Sequence, residues 1–488
     1  MLASMKRDTR TAQDYYRYLQ CPHWPYWERF GDPTDRRELS VTEEKRQQDG
    51  LQHEKEIIET WLGSVDEVVI DSAEEGMAAT RALMQQGVPY IYQGWLVVDD
   101  CSGRPDILER VPGKSVFGNW MYIPVDIKRG HDWKKEYKAQ LTFYAVLLES
   151  IQGAFPAHAD IINADGERLL FTPKEFLAEF QEITEAIERI RGGEIPDPVY
   201  RKSCVDVSPW GKACFRLAQE RNDIALIFNV DVRKLKLLRS FGVRTVDDAT
   251  QLSVTELAGR APGLTARALE AVKRQARSLK NNSVIIRNPF QNPTQGMEIH
   301  FDIESYPGDD MDYLYGFWMV DPITGEGTYR AFVARESHEE KTMWRAFLAW
   351  IETLPAEYTV YHYAAYESSR LTTLAKRYGD EENPWLARFH DRLVDLKEIT
   401  RDTAVFPLYF YSLKTIGKFL GYAWTGDVSN GGDSVTAYES WLATHDESIL
   451  QSIVAYNEHD VRATAHLLAW LTQYAHTATT YEQPYPWK

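Results

Sequence analysis

A reversal of charge in mid-chain most constrains what this sequence can fold into. Residues 231–280 hold eleven Lys/Arg against five Asp/Glu, a local charge of about +6, inside a 488-residue chain whose formal net charge is −17. The stretch is helical in pattern. It is followed by NNSVIIRNPFQNPTQG (281–296), whose Asn and Pro content predicts an extended linker that ends the preceding helix. A chain of this length exceeds one ordinary core and divides into roughly three units of about 150 residues. The expected order is therefore a large domain over 1–220, a small helical module over 221–282, a linker over 283–296 and a second large domain over 297–488.

The chain reads as α/β multidomain, with the first large region α/β or α+β. In the first, VPYIYQGWLVV, MYIPVDIKRG, AHADIINA and RLLFT are β-rich runs set among helical stretches. In the second, MEIHFDIES and YLYGFWMV predict a strand pair, EYTVYHYA another strand, and QSIVAYNEHDVRATAHLLAWL a long amphipathic helix. No apolar run approaches the roughly 18 residues that span a bilayer. MLASMKRDTR has basic residues with no apolar stretch behind them, so it does not read as a signal peptide, and a cytoplasmic protein with no membrane partner is expected. The acidity excludes a general nucleic-acid coat protein, because phosphate binding rests on local Lys/Arg clusters.

Chemistry concentrates at two carboxylate clusters. In the first, GRPDILE is followed some twenty residues later by VDIKRG. Residues two apart on a strand share a face, so Asp126 and Lys128 project together while Val125 and Ile127 face the other way. Asp106 and Asp126 suit Mg²⁺ or Mn²⁺, hard cations that favour oxygen, and Lys128 can position water or steady charge on phosphate. Gln140 and Tyr144 follow at i and i+4, on one helical face. Over residues 10–215 this series resembles the PD-(D/E)xK nucleases of the RecB and Cas4-like branch. The resemblance implies a restriction-endonuclease-like fold and a site of His53, Asp106, Asp126 with Lys128, and Gln140 with Tyr144. Lys134, Lys135 and Lys138 read either as phosphate contacts or as a solvated helix face.

The four cysteines are too few for a disulfide framework in so long a chain, which leaves metal ligation or free thiols. Cas4-like nucleases tie their domain ends with a 4Fe–4S cluster, and Cys21, Cys204 and Cys214 resemble three of its ligands. Val207 stands where the fourth belongs, and Cys101 is at no ligand position. Three readings remain open: a cluster with an unusual ligand, Zn²⁺ completed by His23, or metal-free buried thiols. Trp24, Tyr26 and Trp27 read as base-stacking residues or as core beside Cys21.

In the basic segment, short helices flank Gly242 and Gly263. The pattern resembles helix-hairpin-helix modules, in which glycine-turn N–H groups and a helix N-terminus hold DNA phosphate. A structural spacer is the other reading.

The second cluster opens with HFDIES, where Asp302 and Glu304 share a strand face while Phe301 and Ile303 enter the core. Glu367 follows where a strand passes into a helix, and Tyr456 and Asp460 lie four apart on one helix. Four carboxylates would clamp two ions about 4 Å apart, with Tyr456 orienting water. In this reading a further pair of acids and a tyrosine replace the lysine of the first site. His362 and His459 read as packing or hydrogen-bonding residues. Over residues 297–475 the segments, with VDL (394–396) and YSLKTIGKFLG (411–421), resemble DEDD exonucleases of the ribonuclease H-like superfamily, tyrosine subclass, YprB-type branch. Glu367 departs from that family's usual Asp. The whole order resembles RecB-like nucleases that carry this same fusion. It implies hydrolysis of DNA, single-stranded or at ends, with RNA as a possible partner, in repair, recombination or defence. The competing account is a nucleic-acid-binding scaffold with one or both sites inactive.

Overall fold

A computed structural model describes residues 9–488, apart from 39–40, 62–65, 68–71, 129, 131–132, 202, 205–206, 307–309, 427 and 429–430. The first eight residues, read above for a signal peptide, lie outside the described residues, as does Arg129 of VDIKRG. The chain forms two compact units, Met1–Arg221 and Asn222–Lys488. Both mix helices with sheet. Among the described residues, no helix is long and apolar enough to cross a membrane.

The N-terminal unit is built on a six-stranded mixed sheet of β1 (Asp66–Glu67), β2 (Tyr90–Tyr92), β3 (Ile107–Ser115), β4 (Gly118–Ile127), β5 (Ala159–Ile162) and β6 (Arg168–Phe171), in that order across the sheet. β3 and β4 form a hairpin, and β4 runs parallel to β5 with Asp126 opposite Ile161. Both faces of β4 are covered. Ile123, Val125 and Ile127 pack with Ile57 and Ile58 of helix α1 (Val41–Trp61), whereas Tyr122 points to the opposite cluster with Leu141 and Leu148 of α2 (Lys135–Gln152). That two-residue alternation is what turns Asp126 away from the isoleucine face. Helix α3 (Gly211–Glu220) brings Cys214 back to Cys21 near the start of the unit.

The C-terminal unit opens with the helical segment. Helices α4 (Val232–Ser240) and α5 (Ala266–Asn281) are capped by Asp231 and Thr265, whose side chains accept from Lys234 N and Ala268 N. Gly242 and Gly263 take positive φ of 84° and 96° in the turns between the helices.

The stretch expected to be a linker is different. Val284–Ile286 is a strand, paired with Ala404–Val405 on one side and Thr480–Tyr481 on the other, and Val284 and Ile286 are buried. Its alternating apolar residues found partners more than 100 positions away, which local composition does not reveal.

The main sheet has five strands in the order β9-β8-β7-β10-β11: β7 (Met297–Tyr306), β8 (Met311–Val320), β9 (Gly327–Val333), β10 (Tyr358–His362) and β11 (Leu393–Asp395). Ile299, Phe301 and Ile303 of β7 enter one aromatic-rich core with Phe317, Phe347 and Phe389. Their alternate neighbours Asp302 and Glu304 are left to the other face. Around the sheet stand α6 (Tyr366–Tyr378), α7 (Leu396–Thr403), α8 (Leu413–Phe419), α9 (Gly431–Thr444) and α10 (Glu447–Tyr474).

Candidate active site

The acids of the C-terminal cluster come from three elements. β7 supplies Asp302 and Glu304, with a bulge immediately after Glu304, the kind of irregularity that re-aims side chains beside active sites. α10 supplies Asp460. Ligand oxygens of Asp302, Glu304 and Asp460 all lie within 4.8 Å of one another, and no other described set of three His, Cys, Asp or Glu does so. Glu367, on the first turn of α6, stands outside that trio but raises the proton affinity of both Asp302 and Glu304. The structure therefore gathers three acids tightly and a fourth at longer range, rather than four alike.

Each acid is oriented by a donor. Asn457 Nδ2 bonds Asp302 Oδ2 at 2.8 Å, Ser434 Oγ bonds Glu304 Oε2 at 2.8 Å, and Trp424 Nε1 bonds Asp460 Oδ1 at 2.6 Å. Glu367 Oε2 faces His362 Nδ1 at 3.3 Å, and the same nitrogen lies 2.5 Å from the Ala364 carbonyl. Ala364 has a positive φ of 78°, a strained turn held by Asp395 Oδ1, which accepts from its N–H at 2.9 Å. This turn sets the angle at which α6 leaves β10. Asn457 approaches over Gly316 of β8, where a Cβ would lie 1.5 Å from Asn457 Oδ1. Only glycine leaves room for that amide.

Packing three carboxylates out of water makes their charged forms costly. Burial, then Asp460, push Glu304 up to about 8. Burial, then Glu304 and Asp460, push Asp302 well above the usual range. Burial raises Asp460 too, against the opposing pull of Lys414. Lys414 is the residue the sequence reading missed: its Nζ donates to Tyr456 OH at 2.6 Å and sits 4.1 Å from that ring's centre. The C-terminal site thus has a lysine of its own, although the sequence suggested that acids and a tyrosine stand in its place. Burial pulls the Lys414 ammonium below its ordinary value despite the acids, and burial, then Asp460, hold the Tyr456 phenol far above its own. The hydroxyl is neutral at all ordinary pH. Ser412 caps α8 just ahead of Lys414, and that cap within YSLKTIGKFLG was the available signal. Asn457 was signalled by lying three residues before Asp460 on the same buried stripe.

Residues 299–472 match the RNase_H superfamily (RNase_H_2). The C-terminal domain is ribonuclease H-like. The match covers both strand acids, Glu367, Lys414, Tyr456 and Asp460 of this ribonuclease H-like domain. No curated protein matches the chain.

The N-terminal residues form a second, different group. Lys128 Nζ lies 3.1 Å from Asp126 Oδ2 and 3.9 Å from Asp106 Oδ2. Ile127 N donates to Asp106 Oδ2 at 2.7 Å. Burial, then the Asp126 charge, push Asp106 up to about 8, with Lys128 pulling the other way and Glu54 adding to the rise. Burial opposes the Lys128 charge, but Asp126 and Asp106 outweigh it and raise its affinity for a proton. Gln140 Nε2 bonds Tyr144 OH at 3.3 Å, and that hydroxyl reaches the Arg104 carbonyl at 3.3 Å. His53 on α1 has a buried Nε2 with no hydrogen-bond partner, yet it forms no tight three-ligand set with the two aspartates. Its neighbour Glu54 was not anticipated. Lys135 pairs with Glu179, while Lys134 and Lys138 lie over the Tyr137 and Phe171 rings.

Cys21, Cys204 and Cys214 share one buried cluster with Trp210, against which Trp24 and Trp27 pack, and Cys21 and Cys214 are 3.6 Å apart. The Cys204 thiol is pushed up by its hydrogen bond with Cys21 and then by burial. His23 Nε2 faces the Pro196 carbonyl at 2.8 Å, and among the described residues no tight three-ligand set forms here. Three thiols fall short of the four thiolates of an iron–sulfur cluster, and the histidine expected to complete a zinc site is turned to a carbonyl. His459 is held by Tyr422 at 3.0 Å and Thr425 at 2.7 Å, a hydrogen-bonding residue.

Proposed function

We propose that the chain is a metal-dependent nuclease acting as an exonuclease on single-stranded or end-bearing DNA, with its principal centre at Asp302, Glu304 and Asp460. The observation that carries this reading is the convergence of those three oxygens in a ribonuclease H-like domain. They are hard ligands of the type Mg²⁺ and Mn²⁺ take, and their raised proton affinities mark a cluster short of positive charge. A divalent ion bound there supplies Lewis-acid stabilisation of phosphate and a water of lowered pKa.

The chain's own groups do the rest. Asn457, Ser434 and Trp424 fix the three acids before any ion arrives, so little reorganisation remains at the reaction step. Tyr456, kept neutral, can orient an attacking water through its oxygen lone pairs or donate its proton to a phosphate oxygen. Lys414 fixes the tyrosine's rotation and places positive charge where negative charge grows on phosphate. Glu367 joins the acids from α6 at longer reach.

The Asp106, Asp126 and Lys128 group supports a PD-(D/E)xK site in the N-terminal unit, aided by Gln140 and Tyr144. One observation favours a reading of unequal sites. Lys128 already neutralises part of the charge at 3.1 Å from Asp126, and His53 does not complete a tight ligand set. The test is hydrolysis of end-labelled single- and double-stranded DNA and RNA with Mg²⁺ or Mn²⁺, comparing Asp302→Asn with Lys128→Ala. Asp302→Asn is expected to remove the main activity. Binding without cleavage by the wild-type protein, under every metal, would replace the nuclease with the scaffold.

A further inference from the structure

The basic helical segment contains a feature that the acid cluster leaves unused. Within the C-terminal unit a cleft lies between α5 on one wall and the end of α7 with the strand Ala404–Val405 on the other. Its floor is closed. Gln275 Nε2 donates to the Phe406 carbonyl at 2.7 Å and to Leu408 at 3.2 Å, and Phe228 stacks on Tyr411 with ring centres 4.1 Å apart.

The walls are cationic. Arg267 and Arg274 are seven residues apart on α5, two helical turns, with Ala271 between them on the same face. Arg401 stands on the opposite wall. Arg267 and Arg401 are exposed and Arg274 is half-buried. Among the described residues none of these three guanidinium groups has a hydrogen-bonding or ion-pair partner. The two other cations of the lining are occupied: Lys234 pairs with Asp231 at 2.9 Å and Arg287 with Asp402 at 3.1 Å. Glu398 and Asp402 are the acids of the lining. In a chain of net charge −17, three unpaired arginines facing one cleft run against the surrounding charge, and guanidinium is the side chain best shaped for phosphate. The N-terminus of the 16-residue helix α5, at Thr265, opens into the same space and adds its positive dipole end.

The cleft and the acid centre share their supporting segments. Tyr411, in the cleft lining, precedes Lys414 by three residues, and Tyr363, next to His362, bonds the Tyr411 carbonyl at 2.8 Å. Arg401 lies on α7, whose capping residue is Asp395, the same carboxylate that holds the Ala364 turn.

We propose that this cleft is a track for the phosphodiester backbone of one nucleic-acid strand, with Arg267, Arg274 and Arg401 each taking a phosphate. Hydrogen bonds from Gln275 close the floor between the walls, so the strand would lie along the cleft rather than pass through it. Arg267 and Arg274 stand about 10 Å apart along the helix axis, far enough apart for each to take a different phosphate. Arginine contacts to phosphate carry no sequence information, so this binding is independent of sequence. Delivery of that strand to Asp302, Glu304 and Asp460 rests on the nuclease reading of those acids; the binding itself does not.

The experiment uses the full chain in EDTA, where hydrolysis is off, and follows the fluorescence anisotropy of a labelled oligothymidylate over a range of salt. Arg267→Ala with Arg274→Ala and Arg401→Ala is expected to weaken binding at least about 10-fold. It is also expected to lower the salt slope by about 2, since each single-strand phosphate left without its arginine removes about 0.7. The corresponding triple Lys variant is expected to restore the slope, which separates charge from misfolding. Unchanged affinity and slope in the Ala variant would overturn the proposal. So would failure of the Lys variant to restore the slope, an equal loss on a duplex of the same length, or competition by inorganic phosphate as strong as by the oligonucleotide. Asp302→Asn that still cleaves DNA at the wild-type rate would remove Asp302, Glu304 and Asp460 as the cleavage centre while leaving this binding result standing.

Discussion

In the N-terminal unit a fully buried aspartate faces an ammonium at 3.1 Å, whereas in the C-terminal unit three carboxylates face one another and the nearby ammonium is spent on a tyrosine hydroxyl. Both clusters grow from a strand with residues two apart on one face, and in both an acid is pushed up to about 8. The difference is where the compensating charge comes from. Asp126 has it built in. Asp302 and Glu304 have only the pull of Lys414, which does not offset burial and the neighbouring acids, so their proton affinities stay raised. An aspartate with an ammonium at 3.1 Å carries its charge unloaded, whereas on the proposed reading the acid trio is completed by a metal ion.

The sharpest way to break this comparison is to neutralise one acid in each cluster. Asp302→Asn is expected to lower metal-dependent cleavage by about 10³-fold, and Asp126→Asn by far less, read as initial rates on one end-labelled strand. Equal losses would mean that the two clusters are equivalent or act in series. Tyr456→Phe probes the next level: kcat is expected to fall by about 10²-fold, with Mn²⁺ affinity unchanged because the tyrosine is not a ligand. A matching loss of affinity would move Tyr456 into the ligand set.

Those residues also show what the sequence allowed one to see. Alternation alone placed Asp126 with Lys128, and Asp302 with Glu304, because a strand leaves no choice about which residues share a face. Helical spacing paired Gln140 with Tyr144, which the structure joins by a hydrogen bond, and Tyr456 with Asp460. Lys414, Trp424 and Ser434 stayed hidden. Each lies on a different segment from the acids, and only the tertiary fold brings a cap-proximal lysine to a tyrosine 42 residues later. The strand at Val284–Ile286 was concealed for the same reason, its hydrogen-bond partners being remote in sequence.

Gly316→Ala sharpens the role of preorganisation. The new methyl would collide with Asn457 Oδ1, so a loss of about 1–3 kcal/mol in stability is expected by denaturant unfolding, with cleavage reduced in parallel. Unchanged stability would show that α10 can shift freely and that the Asp302–Asn457 bond is incidental.

The smallest effect is in the pH dependence of stability. Glu304 holds its proton up to about 8, above an ordinary glutamate because of burial and Asp460, and Asp106 does so because of burial and Asp126. The folded protein therefore binds more protons than the unfolded chain in this window. The stabilisation is complete below the unfolded carboxylate range and is lost as pH rises toward about 8. The melting temperature of metal-free protein is expected to fall over that interval. Glu304→Gln is expected to flatten the fall and Mn²⁺ to oppose it most at the alkaline end. A melting temperature that rose with pH would carry the wrong sign.

The most direct measurement is Mn²⁺ titration of the metal-free full chain by electron paramagnetic resonance, comparing wild type with Asp302→Asn and Asp126→Asn. The account predicts that the tightest-bound Mn²⁺ disappears in Asp302→Asn and persists in Asp126→Asn. Tight binding that survives Asp302→Asn and is lost in Asp126→Asn would place the metal centre in the wrong half of the molecule.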